Sequence, residues 1–426
     1  MLIACRSADL HFSCSPTPSC SLRDTRFAPP KTLDAAPLAC DPTTRTSCTA
    51  RAISAGGKHS CAIAAAGELF CWGDDSEHQL GPHLGAAVSD ASLLDAAAEW
   101  TDVSLVLEHA VQVTVGAAHS CALFEDGSVR CWGRNAEGQV DGTDQPEPVA
   151  VPRRVDVPGA TQLAAGAAHS CSVAPQGVVC WGSARYGQVG RELRDGALAP
   201  ALVPDTAGAV EVAAGVRHTC ARFDDGHVLC WGELIDPESL EPIATPIATP
   251  VAGLNDAKAI TAGAGHSCGL RKSGAVVCWG ANESGQLGDG GTKPSARPVR
   301  VTNLPFALRV AAGGGETDGL LVGHSCAIDN YTNVACWGGN REGELGVGQQ
   351  VGDRSAVVVA VLGRPKQNAH DLTNMVELAL GAFHSCSLDH DGSVVCWGDD
   401  SSNQLGRDRS DPWSFGRSGF VARFGR

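Results

Sequence analysis

Apolar residues fall in short runs along this chain, each stopped by glycine or by a polar turn. Val310-Ala-Ala-Gly313 and Leu163-Ala-Ala-Gly166 read as short strands ended by Gly. The His-Ser-Cys-Ala-Leu that follows such a run reads as a second strand, and Ser-Val-Arg-Cys-Trp as a third. Between these two sit Glu125-Asp126-Gly127, Asp224-Asp225-Gly226 or Asp391-Gly392, where Gly supplies the positive φ of a tight hairpin. A Pro-Val segment such as Arg297-Pro-Val-Arg-Val301 predicts a fourth strand.

The pattern repeats seven times, around Cys61, Cys121, Cys171, Cys220, Cys268, Cys326 and Cys386. Steps run from 48 residues (Cys220 to Cys268) to 60 (Cys61 to Cys121), the length of one four-stranded module with variable loops. No such sheet buries both faces alone, so seven of them predict an all-β, seven-bladed propeller. The expected division is a Cys/Pro-rich N-terminal tether over 1–50 and the propeller over 51–426. No Pro-Val strand precedes Ala52, so Gly419-Phe-Val-Ala-Arg423 is expected to complete blade 1 and latch the ring. Residues 83–110, with Leu93, Leu94 and Trp100, read as a separate insertion with room for a short helix.

Composition narrows the function. With 51 Gly, 23 Pro and 19 Cys in 426 residues the chain is loop-rich. A formal net charge of -15 argues against sequence-independent binding to nucleic acid, which needs clustered Lys and Arg. No run approaches the roughly 18 apolar residues that span a bilayer, so no transmembrane segment is expected. A monomer without cofactor is expected.

Trp279-Gly-Ala-Asn-Glu-Ser-Gly-Gln-Leu-Gly288, with close copies at 132–140, 181–190 and 337–346, resembles the repeat of the regulator of chromosome condensation family. The resemblance spans residues 51 to 406 and implies a propeller that acts mainly by binding proteins. Relatives in that family include a nucleotide exchange factor for a small GTPase and a secreted bacterial inhibitor of beta-lactamases. Two departures stand out. Copy 4 continues Trp231-Gly-Glu-Leu-Ile-Asp-Pro-Glu-Ser-Leu240 and loses the Gly-Gln-Leu-Gly ending, which predicts a rebuilt loop. Paired cysteines in every copy point to a disulfide-rich, bacterial-type member and away from an intracellular exchange factor.

Those pairs are Cys61/Cys71, Cys121/Cys131, Cys171/Cys180, Cys220/Cys230, Cys268/Cys278, Cys326/Cys336 and Cys386/Cys396. Across a hairpin the partners face one another at a separation that a disulfide accepts, and disulfides imply an oxidising compartment, extracellular or cell envelope. The rival is zinc held by His59, Cys61 and Cys71 and their counterparts. Structural zinc pairs are spaced two to four residues apart, unlike these, so no metal is expected. Five cysteines remain: Cys5, Cys14, Cys20, Cys40 and Cys48. Leu2-Ile-Ala-Cys5 resembles a lipobox, making Cys5 a lipidation candidate, against the simpler reading of chance plus a free thiol. The pairing of the other four stays open.

What recurs in every copy belongs to the scaffold. The repeated Trp (Trp72, Trp132, Trp181, Trp231, Trp279, Trp337, Trp397) reads as packing between blades, and the repeated His as buried hydrogen-bonding groups tying adjacent turns. Gly138, Gly187, Gly285 and Gly343 are replaced by His78 and Asn403 in copies 1 and 7, so a left-handed backbone is expected there. What varies concentrates in the turn before His-Ser and the loop after Cys-Trp-Gly, which emerge on one face. Copy 6 inserts residues 314–322 there. Candidates for partner contact are Lys58, Arg134, Arg185, Tyr186, Arg217, Glu233, Glu283, Glu316, Asp318, Arg341 and Phe383; the alternative for each is a solvated loop residue. A secreted or cell-surface protein-binding propeller is therefore expected, with no catalytic residues. The alternatives are a lectin, or a glycoside-acting enzyme using Asp74, Asp75, Asp399 and Asp400 at the ring seam. Exchange of guanine nucleotides is a remote alternative on family resemblance alone.

Overall fold

The computed structural model describes residues 49–82, 103–107, 109–347, 352–361, 372, 374–406 and 419–420. They form seven four-stranded antiparallel sheets, each strand pairing with the next in sequence. The blades span 50–107, 110–155, 162–202, 209–250, 257–300, 307–360 and 375–420. Within each, the chain runs from an inner strand at the central channel to an outermost strand. Among the described residues there is no helix. The expectation that the tail completes blade 1 is corrected: Gly419–Phe420 pairs with Val394–Gly398 as the outermost strand of blade 7. Blade 1 takes its outermost strand from Val103–Leu107, within the insertion read over residues 83–110. Residues 83–102, the segment 1–48 and its cysteines lie outside the described residues.

All seven cysteine pairs are disulfides, and in each the two residues stand directly opposite across the hairpin. Cys61 pairs with Cys71 and Cys268 with Cys278 in register, with Cα atoms 4.1 and 4.0 Å apart. Cys121 faces Cys131, Cys220 faces Cys230, Cys326 faces Cys336 and Cys386 faces Cys396 in the same way. Copy 3 shortens its turn by one residue and keeps the register, Cys171 opposite Cys180. These cysteines are buried scaffold. Cys131 and Cys396, for example, are fully buried in the apolar clusters around Trp181 and Trp72.

The core lies between blades. Each repeated Trp packs into the cluster of the preceding blade: Trp132 against Ile63, Leu69 and Leu80, Trp231 against Val178 and Val189, and Trp72 of blade 1 against Leu388 and Leu405 of blade 7. The Gln-Leu of the post-Trp loop makes this possible. Its aliphatic side chain fills the space beside the next blade's Trp, while the Gln carbonyl accepts that Trp's Nε1–H. Gln79 O accepts from Trp132 at 2.9 Å, and Gln404 O from Trp72 at 3.0 Å. The turn residue ahead of the Gln has positive φ, 72° at Gly138, 60° at His78 and 61° at Asn403, as the substitution pattern implied.

A second set of bonds closes the ring. His59 Nε2 meets Ser120 Oγ in the next blade, and the contact repeats through His119–Ser170, His169–Thr219, His218–Ser267, His266–Ser325, His324–Ser385 and His384–Ser60, all at 2.7 to 2.9 Å. The last joins blade 7 to blade 1, so the seam is held as every other junction is. Ser120 Oγ spends its proton on Gln79 O, so it must accept from His59 Nε2–H, which fixes the neutral tautomer. Burial first, and neighbouring imidazoles second, push His59 and His169 down to about 3.

Candidate functional site

The inner strands of all seven blades line a central channel of about 670 Å³. Its wall is nearly all Gly, Ala and other small residues because backbones meet there. A Cβ on Gly56 would overlap Gly116 O, and Gly57 N–H donates to that same carbonyl at 3.0 Å. The wall carries no charged side chain until the mouth, where Lys58, Asp74, Glu77, Arg134, Glu316 and Phe383 stand.

The insertion in copy 6 becomes a hairpin. The first two strands of blade 6, Ala307–Thr317 and Leu320–Asp329, stay paired out to Thr317 opposite Leu320. The turn is Asp318-Gly319, both at positive φ (52° and 81°), the arrangement that Asp-Gly favours in two-residue hairpins. Its flanks rest on neighbours. Leu321 Cδ1 lies 2.9 Å from where a Cβ on Gly265 of blade 5 would be, and Phe383 of blade 7 lies against Gly315. Leu320 at the tip remains 67% exposed.

Arg217, in the blade 4 turn, anchors this hairpin from two blades away. Its guanidinium bonds Glu316 at 2.8 Å and Glu233 at 3.2 Å, and lies 4.5 Å from the Tyr186 ring centroid. Burial works against the charge, but the hydrogen bond to Glu316 and the field of Glu233 outweigh it and hold Arg217 above its ordinary value. Five candidates thus meet in one cluster: Arg185, Tyr186, Arg217, Glu233 and Glu316, with Arg185 5.7 Å from the same ring. Lys58, Arg134 and Phe383 join it around the mouth. Glu283 and Arg341 are exposed in the loops of blades 5 and 6, outside this cluster and outside the channel lining. Arg217 is a brace, not a free cation, which spacing alone did not reveal.

The seam carboxylates serve their own loops. Asp74 accepts from Ser76 and Gln79, and Asp399 from Ser401 and Gln404. Asp75 and Asp400 accept from Leu80 and Leu405 N–H. Among the described residues no group of three or more His, Cys, Asp or Glu is placed to hold a metal.

Copy 4 departs as expected and in a way not foreseen. Its third and outermost strands, Val228–Ile235 and Pro242–Pro250, form a long hairpin closed by Asp236 N–H to Glu241 O. The consequence falls on blade 5, whose Trp279 loses the Gln or Glu carbonyl and the aliphatic neighbour that the other six possess. Trp279 is 6% exposed; the other six are at 0 or 1%.

Seven meander blades, a Gln-Leu loop that clasps the next blade's Trp, and a channel walled by glycine define a propeller of the regulator-of-chromosome-condensation type. Residues 23–317 match the RCC1-like domain, and residues 375–404 match the Regulator of chromosome condensation (RCC1) repeat. The chain belongs to the RCC1-like domain family.

Among curated proteins it is similar to the probable E3 ubiquitin-protein ligase HERC6 of Homo sapiens, 34% identical over 126 residues. It is also similar to the mitochondrial RCC1 domain-containing protein RUG3 of Arabidopsis thaliana, 29% identical over 136 residues. These matches span 29% and 31% of this chain, but only 12% and 30% of the relatives. Among solved structures, human WBSCR16 superposes with TM-score 0.64 at 21% identity, covering 80% of this chain and 86% of that one. Prp20p of Saccharomyces cerevisiae gives 0.62 at 21%, covering 79% and 81%. Both share the fold.

Proposed function

We propose that this chain is a non-enzymatic, monomeric protein-binding propeller that works outside the reducing cytosol, secreted or held at the cell envelope. It grips a protein partner with the face that carries the blade 6 hairpin. The observation that carries this reading is the hairpin itself, which presents an exposed Leu320 and is tied to Arg217 through Glu316, on the face where Lys58, Arg134 and Arg185 stand. A preorganised apolar anchor inside a rim of mixed charge lowers the ordering cost of association and fits a partner that offers an apolar spot within complementary charges. Seven disulfides support the compartment, since cytosolic thiol pools keep such pairs reduced. Among relatives, Prp20p was described with binding properties to Gsp1p and histones, and Kap60 was solved bound to it; protein binding is common to those and to this proposal.

The test is capture from native extracellular and envelope extracts on immobilised oxidised protein. The controls are Leu320→Asp and the triple variant Lys58→Glu, Arg134→Glu, Arg185→Glu. Arg217 is left intact because reversing it would place three acids together and unseat the hairpin. One dominant protein, lost with both variants at unchanged melting temperature, is the expected outcome. Retention only of polysaccharide, or equal capture by the variants, refutes it.

A further inference from the structure

Six of the seven junctions are closed by the same plug. Gln79-Leu80, Gln139-Val140, Gln188-Val189, Gln286-Leu287, Glu344-Leu345 and Gln404-Leu405 each bury an aliphatic side chain beside the next blade's Trp. Each also gives one carbonyl to two donors, the Trp Nε1–H and the Ser or Thr hydroxyl of the His-Ser pair. Gln286 O, for instance, takes Trp337 at 2.9 Å and Ser325 at 3.2 Å.

The seventh junction, blade 4 to blade 5, has the socket without the plug. Trp279 and Ser267 keep their places, and Ser267 Oγ keeps its bond to His218 at 2.8 Å. Yet among the described residues no carbonyl accepts from Trp279 Nε1 or from the Ser267 hydroxyl as the six sister carbonyls do. In place of the plug is a cavity of about 220 Å³, whose apolar lining includes Leu234, Val251, Trp279 and Ala296 and whose polar lining includes Glu233, Ser267 and Arg297. Leu234 and Val251 touch the local cluster only as half-buried residues.

From the six filled sockets we infer that this vacant one receives a loop of a protein partner. That loop presents a backbone carbonyl followed by a leucine-like side chain, the chemistry of Gln-Leu. The carbonyl takes the protons of Trp279 Nε1 and Ser267 Oγ, and the aliphatic group fills the apolar end. Glu233 lines the same cavity and also holds Arg217, so the socket adjoins the hairpin cluster. The inference rests on the protein-binding reading and specifies which element of the partner is recognised.

The probe is the capped heptapeptide Asn-Glu-Ser-Gly-Gln-Leu-Gly, the sequence of residues 282–288, added to the whole oxidised chain labelled with 15N-tryptophan. The Trp279 indole peak is assigned by its absence in Trp279→Phe. In the free protein this indole proton should exchange at least about tenfold faster than the six sister indoles sealed by a carbonyl. Millimolar peptide should move that peak saturably and slow its exchange, and a peptide with Ala in place of Leu should bind about tenfold more weakly. Ala296→Leu, which fills the cavity from its wall, should abolish the shift while holding the melting temperature.

No shift at millimolar peptide overturns the inference, and so does slow exchange in the free protein, because a segment of this chain then already fills the socket. A shift that survives Ala296→Leu overturns it as well. None of these readouts needs the partner, so a failed socket leaves capture by the hairpin face standing. A shifted peak with failed capture sinks the face reading instead.

Discussion

Lowering the pH should pull the ring apart, because below pH 6.5 its seven junction histidines stay neutral only while they are buried. Burial pushes His59, His119, His169, His266 and His324 down to about 3, and His218 and His384 to about 4. A folded value below the ordinary 6.5 means that the stabilisation is fully present above pH 6.5 and is lost as the pH falls towards 3 to 4. At pH 5 the unfolded chain binds about seven more protons on these groups than the fold does.

Glu344 and Glu377 act in the opposite direction. Burial raises each from 4.5 to about 7, so the fold holds protons there that the unfolded chain releases, about one and a half at pH 5. Over these nine groups the net uptake on unfolding is about five protons, a slope of about 7 kcal/mol per pH unit, and Glu211 and Asp389, also raised by burial, reduce it. Integrated from pH 7.5 to 5, each histidine forfeits about 2 kcal/mol, the two glutamates together return about 5, and about 9 kcal/mol is lost. That is comparable to the whole stability of many domains. The assay is denaturant unfolding with disulfides intact across this range, together with calorimetry in buffers of different ionisation enthalpy to count protons. Uptake of fewer than about two protons at pH 5 would refute the neutral-histidine ring.

Four further outcomes follow from the same geometry. Ser325→Ala removes both the acceptor for His266 and a donor to Gln286 O and should cost about 1–3 kcal/mol; Ser267→Ala should cost less in the same denaturant titration, having no bond to a carbonyl to lose. Trp337→Phe should be more destabilising than Trp279→Phe by about 1 kcal/mol, the worth of the indole–carbonyl hydrogen bond that Trp337 makes and Trp279 lacks. Arg217→Ala should cost about 1–3 kcal/mol by leaving Glu233 and Glu316 facing each other, and limited proteolysis should then cut first near Asp318. Removing one disulfide, as Cys326→Ala with Cys336→Ala, should cost at most about 3 kcal/mol, since the loop it closes is only about ten residues long; a larger drop in the melting curve would mean that the bridge does more than restrain its own hairpin.

Internal repetition made most of the fold legible. Seven aligned copies located the strands, the cross-hairpin cysteines such as Cys121 with Cys131 and Cys386 with Cys396, the positive-φ position held by His78 and Asn403, and the inter-blade tryptophans. What repetition could not show is which blade a repeated residue touches. His59 reaches Ser120 some sixty residues away, and the lost ending of copy 4 empties a site beside Trp279 in copy 5. Both are contacts between copies, invisible when each copy is read alone. The tail strand was misplaced for a related reason. Ring closure suggested a strand borrowed across the seam, whereas the seam's hydrogen bonds, His384 to Ser60 and Trp72 to Gln404, already suffice. At the candidate face, residue type signalled Arg217 as exposed charge; only the reach of the copy 6 hairpin made it a structural ion pair.

Among the described residues every disulfide lies inside a blade, and none crosses a junction. Oxidation therefore stiffens the individual tiles, while protonation acts on the joints between them, and the two chemistries address separate sets of contacts. A reductant at neutral pH should leave a closed assembly of softened units, and acid under oxidising conditions should leave stiff units that have parted company.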